Sequence, residues 1–168
     1  ETKLFIDNNE KKLAIQCLAK NKKNIIIGAG SSGPTTKWGT KNYINLIKKI
    51  LEKTKCYFLI LAGPNEKGIA EEIINAIGNE NAASLAEKNI KEIIPIIANS
   101  DMYVGNDSFG QHVACQSEKP SFVLLFDTPS AYSEYSKNQY QIIPEGASID
   151  DITHDSAFDP NKIKVEMV

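Results

Sequence analysis

The sequence contains no arginine: all 19 of its basic residues are lysine. Lysine and backbone N–H groups can still bind phosphate, but no bidentate guanidinium fork to guanine or phosphate is available. Acidic residues number 21, giving a net charge of −2 and a pI near 5.8, so a nucleic-acid-binding domain is disfavoured. Cysteine is scarce too. Cys17, Cys56 and Cys115 are far apart and form no CxxC pair, which argues against a zinc site or redox dithiol and for reduced, buried thiols in a cytoplasmic protein. The two histidines, His112 and His154, cannot make a common zinc site without cysteine help, so no metal is expected. Long apolar runs are also missing. Phe122 to Phe126 is among the longest, far below the ~18–20 residues needed to span a bilayer. The Gly-Lys-Ser/Thr of a P-loop is absent. Asn106 stands where a hydrolase nucleophile elbow before Ser108 requires glycine.

What is present reads as one globular domain. The chain has 168 residues, 42% hydrophobic and 24% charged, enough to bury a core without metal or disulfide staples. Short β-like runs alternate with helical stripes. Asn24–Gly28 and Cys56–Leu61 are buried strands, and Asp101–Val104 and Ser121–Phe126 are further strands. Helical periods run from Thr40 to Lys53, with Tyr43, Leu46, Ile47, Ile50 and Leu51 on one stripe, and from Ile69 to Ile77, closed by Gly78. Asn89 and Glu92 form a capping box for a helix to about Ala98 that Pro95 should kink or shorten. Ser108–Gln116 is a short helix. Leu13, Ala14, Cys17 and Leu18 suggest an opening helix after a strand at Lys3–Ile6. Asp150-Asp151 begins a short solvated helix after Ser148, and Asp159-Pro160 caps a terminal helix. Strands alternating with helices of this length predict an α/β fold, a doubly wound, mainly parallel sheet with helices on both faces.

In such sheets ligands sit at the carboxyl ends of the strands, so the loops there carry the functional signal. Gly28-Ala29-Gly30-Ser31-Ser32-Gly33 spells GxGxxG after a strand. A dinucleotide site needs a helix starting inside the motif, whereas Pro34 follows at once and helical periodicity waits until Thr40. A flexible Gly/Ser loop remains the alternative. In Ala62-Gly63-Pro64-Asn65-Glu66, Asn65 can cap the next helix. Glu66 either favours the helix dipole or accepts hydrogen bonds from ribose hydroxyls. Gly105-Asn106-Asp107-Ser108-Phe109-Gly110-Gln111-His112 is the strongest signal. Backbone N–H groups from Ser108 to Gly110, unpaired in the helix, could point at a phosphate, with His112 one turn on. A purely structural role has Asp107 or Ser108 as a plain N-cap and His112 as a satisfied core residue.

Taken in order, these loops resemble the C-terminal domain of glycosyltransferase family 9, the ADP-heptose:lipopolysaccharide heptosyltransferases. The carriers are Ile25-Ile26-Ile27-Gly28-Ala29-Gly30-Ser31, Lys37-Trp38, Tyr43 with Leu46, Leu61-Ala62-Gly63-Pro64 with Glu66, and Ile90, Glu92, Pro95, Ile97, Ala98 and Asp101. Most specific is Gly105-Asn106-Asp107-Ser108 followed by His112 and Ala114; Lys119-Pro120 and Leu125-Phe126 complete the set. The resemblance implies a Rossmann-like half of a two-domain GT-B enzyme. Residues 1–168 would be a single nucleotide-sugar-binding domain, with the acceptor domain and its catalytic base N-terminal to it and the domain alone inactive. It further implies that Lys37 neutralises the donor's diphosphate and Glu66 holds the ribose. Ser108, Phe109 and Gly110 would present backbone N–H groups to phosphate, Asp107 would contact the sugar, and His112 is a second-line site residue. The expected chemistry is inverting, metal-independent transfer from ADP-heptose or a similar donor to a lipopolysaccharide or other glycan acceptor. The expected place is the cytoplasm, at the inner face of the bacterial inner membrane, with peripheral membrane contact. Where the family pattern has glycine and then proline after the key serine position, this chain has Phe109 and Gly110. Lys37 adjoins Trp38 rather than standing two residues before it. A non-catalytic nucleotide- or sugar-binding module with an altered site is the alternative.

Overall fold

The structure, a computed structural model, describes residues 4–31, 33, 37–129, 136–154, 156 and 158–168. The elements in chain order are α1 (Asn8–Gln16), β1 (Lys23–Gly28), α2 (Thr40–Lys53), β2 (Cys56–Leu61), α3 (Lys67–Ile77) and β3 (Ala82–Ser84). They continue as α4 (Ile90–Asn99), β4 (Met102–Asn106), α5 (Phe109–Gln116), β5 (Ser121–Leu124) and β6 (Gln139–Ile142). Among the described residues one sheet has the order β3-β2-β1-β4-β5-β6, and every pairing is parallel. Parallel neighbours need helical crossovers, which bury both sheet faces and explain the unbroken Ile25-Ile26-Ile27 run of β1.

Side-chain alternation divides that run between two layers. Ile25 and Ile27 join Phe58, Ile60 and Val104 beneath α2 and α3, where Tyr43, Leu46, Ile47, Ala70 and Ile73 are buried. Ile26, Leu59 and Tyr103 face the opposite way, under Ala14 of α1, Ile93, Ile96 and Ile97 of α4, and Val113 and Ala114 of α5. The capping boxes at Asp7/Glu10 and Asn89/Glu92 open α1 and α4.

Several expectations are corrected. Leu4–Ile6 is not a strand, and Lys3 lies outside the described residues. Helix α4 runs through Pro95 to Asn99 without being shortened. Burial of Ile93, Pro95, Ile96 and Ile97 offsets the backbone hydrogen bond that proline cannot make. Asn65 does not cap α3, because a 3₁₀ turn at Pro64–Glu66 intervenes and Glu66 takes the cap position. The strand from Asp101 instead spans Met102–Asn106, and the strand from Ser121 ends at Leu124. The terminal helix is only a 3₁₀ turn, Pro160–Lys162, with Asp159 accepting from Asn161 N–H. Cys17 is only half buried, while Cys56 and Cys115 are buried.

The chain enters the sheet at β1, builds outward through β2 to β3, then crosses back to β4 on the other side of β1. This reversal separates the loop after β1 from the loop after β4 and opens a crevice at their carboxyl ends.

Candidate functional site

A cleft of about 1140 Å³ occupies this end of the sheet. Its walls are the loops after β1 and β2 (Gly30, Lys37, Glu66) and the first turns of α4 and α5. The loop after β1 is pinned to β2 by Ala29 and Gly30, whose N–H groups both donate to Leu61 O at 3.0 and 3.2 Å. Gly30 is required there, since a Cβ would fall 2.4 Å from Glu66 Oε2 and 3.0 Å from Ala62 Cα.

Glu66 is the hub of this side. Its Oε2 accepts from Gly63 N–H at 3.1 Å and its Oε1 from Ser31 N–H at 3.4 Å, while Lys37 Nζ lies 2.5 Å from Oε1. The side chains are 18% and 33% exposed respectively. Burial pushes the Glu66 carboxyl upward, but Lys37 and the Gly63 and Ser31 amides outweigh it and hold it below the usual glutamate range. The residues assigned to ribose and diphosphate are thus brought into direct contact, which the sequence did not reveal.

At the opposite wall, Ser108 is the N-cap of α5 but makes no side-chain cap bond. Its hydroxyl instead lies 3.2 Å from Tyr103 Oη, which donates to Asn106 O at 2.7 Å. Intrahelical bonding begins with Gln111 and His112, whose N–H groups donate to Ser108 O. The Phe109 and Gly110 amides therefore belong to the open first turn of the helix, at the wall of the cleft. Gly110 lets this turn approach the sheet, for a Cβ would lie 2.4 Å from Leu61 Cδ2 and 2.9 Å from Tyr103 Cε2.

Asp107 and His112 are not on the cleft wall. They stand beside it as a pair, with His112 Nε2 4.0 Å from Asp107 Oδ1. Asp107 is 11% exposed, and its buried Oδ1 has no hydrogen-bond partner among the described residues. Burial raises its carboxyl above the usual aspartate range, only partly offset by His112 and the Thr128 hydroxyl. His112 is 48% exposed, which corrects its reading as a core residue. The dinucleotide motif finds no support, because the helix after Gly33 starts only at Thr40. Within the loop after β1, Ser32, Pro34, Thr35 and Thr36 lie outside the described residues.

Asn106 does more than its place in the loop motif suggests. Fully buried at the end of β4, its Oδ1 accepts from Trp38 N–H at 3.1 Å and Tyr43 O–H at 2.9 Å. Its Nδ2 donates to Ala29 O at 3.1 Å. One amide thereby ties the neighbours of Gly30 and Lys37 to the switch point. Trp38 is further fixed by its indole N–H on Ile163 O at 2.8 Å and by an edge-on contact with Tyr43. A polar residue ending an apolar strand was the available signal. Among the described residues no cluster of His, Cys, Asp and Glu suits a metal, and no helix is long and apolar enough to cross a membrane.

The sequence profile of glycosyltransferase family 9 (heptosyltransferase) matches residues 1–152. Lipopolysaccharide heptosyltransferase 1 of Campylobacter coli is 30% identical over 141 residues, 82% of this chain and 41% of that protein. Among solved structures, the E. coli ADP-heptose LPS heptosyltransferase II aligns over 98% of this chain and 51% of its own, with a TM-score of 0.77 and 20% identity. E. coli heptosyltransferase WaaC, solved with ADP, aligns over 86% of this chain and 45% of its own, with a TM-score of 0.68 and 16% identity. These structural likenesses establish the fold. The chain spans about two-fifths of its Campylobacter relative and about half of the solved chains.

Proposed function

Because the chain belongs to glycosyltransferase family 9, we propose that it is the donor-binding half of a GT-B glycosyltransferase that uses ADP-heptose or a similar nucleotide-diphospho-sugar. The observation that carries this reading is the meeting, in one cleft at the switch point, of Lys37, Glu66 and the open first turn of α5. A cation and unpaired helix amides suit a diphosphate. A carboxylate pinned by two backbone N–H groups suits a ribose diol. The ADP bound by E. coli WaaC, a protein of the same fold, agrees with this choice of ligand.

In the proposed reaction an acceptor hydroxyl attacks the anomeric carbon from the face opposite the leaving group, inverting it. A base in the acceptor half takes the hydroxyl proton, and the nucleoside diphosphate departs with the electrons of the broken C–O bond. Negative charge grows on the diphosphate during this step. Lys37 and the fixed amides of Phe109 and Gly110 stabilise it, with no metal ion in the scheme. Asp107, at the sugar end beside α5, orients the glycosyl group, and His112 restrains Asp107. The acceptor is a lipopolysaccharide or related glycan, reached at the inner face of the inner membrane.

Calorimetric titration of the chain with ADP and UDP tests the reading. Binding that weakens on Lys37→Ala is expected, and a folded chain that binds neither nucleotide overturns it. In the full-length enzyme, Lys37→Ala and Asp107→Asn should both lower transfer. Donor binding without any turnover would instead favour a non-catalytic module.

A further inference from the structure

Resting on the donor-cleft reading above, we infer that Phe109 is a specificity-determining residue: with Ile90 it forms an apolar jaw that grips the nucleotide base. Large apolar side chains in this protein are mostly buried, yet Phe109 is 41% and Ile90 61% exposed. Neither belongs to any of the core clusters. Each is the first residue of its helix, α5 and α4 respectively. These helices pack against one another, and both side chains line the same cleft. Exposed apolar surface gathered at a cleft is surface that a ligand can cover.

The rest of the cleft leaves the base one place to go. Phosphate and ribose are assigned to the α5 amides, Lys37 and Glu66. The remaining wall, toward the start of α4, carries Leu61, Ala86, Ile90 and Ile93 together with Lys88, Asn89 and Lys91. The helix opens there on a capping box, in which Asn89 Oδ1 accepts from Glu92 N–H and Glu92 Oε2 accepts from Asn89 N–H. Phe109 and Ile90 supply stacking and apolar contact to a base there. Aromatic faces stack on bases of any sequence, and a larger ring covers more surface. The jaw therefore favours purine over pyrimidine nucleotides. A glycine at this position would keep the amide and remove one side of the jaw.

The test compares the parent chain with Phe109→Ala and Phe109→Tyr, titrated with ADP, UDP and inorganic pyrophosphate. Phe109→Ala should bind ADP about tenfold more weakly, lose less for UDP, and keep pyrophosphate affinity unchanged. Phe109→Tyr should restore ADP binding. Unchanged ADP affinity in Phe109→Ala, or an equal loss for pyrophosphate, overturns the inference while leaving the donor cleft standing. A parent chain that binds neither ADP nor pyrophosphate removes both. As an independent measurement, indole emission in Phe109→Trp should respond to ADP and not to pyrophosphate; a flat response to ADP contradicts the jaw.

Discussion

Replacing Asn106 with alanine removes three buried hydrogen bonds at once and tests whether this amide organises the cleft. Tyr43 loses little, because its hydroxyl also lies 3.1 Å from Gly28 O and can donate there. Trp38 N–H and Ala29 O lose the partners they have in Asn106, and Trp38 and Ala29 are both buried. At about 1–3 kcal/mol for each buried orphan, the expected destabilisation is about 4 kcal/mol. This is a large part of the ~5–15 kcal/mol that holds a typical domain. For a chain of this size it lowers Tm by about 8–16 °C. Urea denaturation and calorimetry read the change directly. A double-mutant cycle with Tyr43→Phe should be close to additive, within about 0.5 kcal/mol, since Gly28 O can take over the hydroxyl's bond. An Asn106→Ala protein within about 0.5 kcal/mol of its parent, or a coupling above about 1 kcal/mol in the cycle, would refute the reasoning.

Three other variants test the same geometry. Asp107→Asn should raise Tm by about 3 °C at pH 7, an increment of ~1 kcal/mol. Since the folded carboxyl is held above its unfolded value near 3.9, the gain should vanish as pH falls toward that value; a gain independent of pH contradicts it. Gly110→Ala should destabilise by about 2 kcal/mol, because the Tyr103 ring and Leu61 leave no room for a methyl group, and thermal melts check this. Glu66→Gln should cost less than about 1 kcal/mol of stability, and that loss should disappear on acidification through the depressed folded pKa. The same variant should weaken ADP binding yet strengthen pyrophosphate binding; a parallel change in both would contradict the division of roles between Glu66 and Lys37.

Strands and helices with strong local patterns were legible from the residues. The β-branched run of β1 and the Tyr43–Leu51 stripe of α2 specify their elements almost without context. Strands β3 and β6 were not legible. Ala82-Ala83-Ser84 has no β-branched residue, and Gln139-Tyr140-Gln141-Ile142 is mostly polar. They lie at the two edges of the sheet, so pairing with β2 and β5 makes them strands rather than intrinsic preference. Lys3–Ile6 fails in the opposite sense: the composition suits a strand, yet Leu4–Ile6 is not one. For the site, the loop positions were readable because strand ends are chemically marked by Gly, Asn and Asp. The contact between Lys37 and Glu66 was not, because two separate loops must fold over β1 and β2 before it exists. Asn106 was visible as a letter in a motif, but its three partners come from three segments that only the folded sheet assembles.

The electrostatics of the cleft decide which of its two charged side chains must yield to a ligand. Glu66 is the more buried, and two backbone amides hold it from below. Moving it would leave the Gly63 and Ser31 N–H groups without their carboxylate acceptor. Lys37 is the more exposed of the pair, and a flexible four-carbon stem carries its charge. Lysine can therefore swing toward an incoming diphosphate while Glu66 stays in place, its charge still met by Gly63 and Ser31. Ribose hydroxyls would then replace the ammonium as donors to Glu66, so the carboxylate is never left facing the phosphates alone. A free diphosphate lacks those hydroxyls and meets the uncompensated repulsion of Glu66. In this arrangement the ion pair itself selects a nucleotide over its bare phosphate tail.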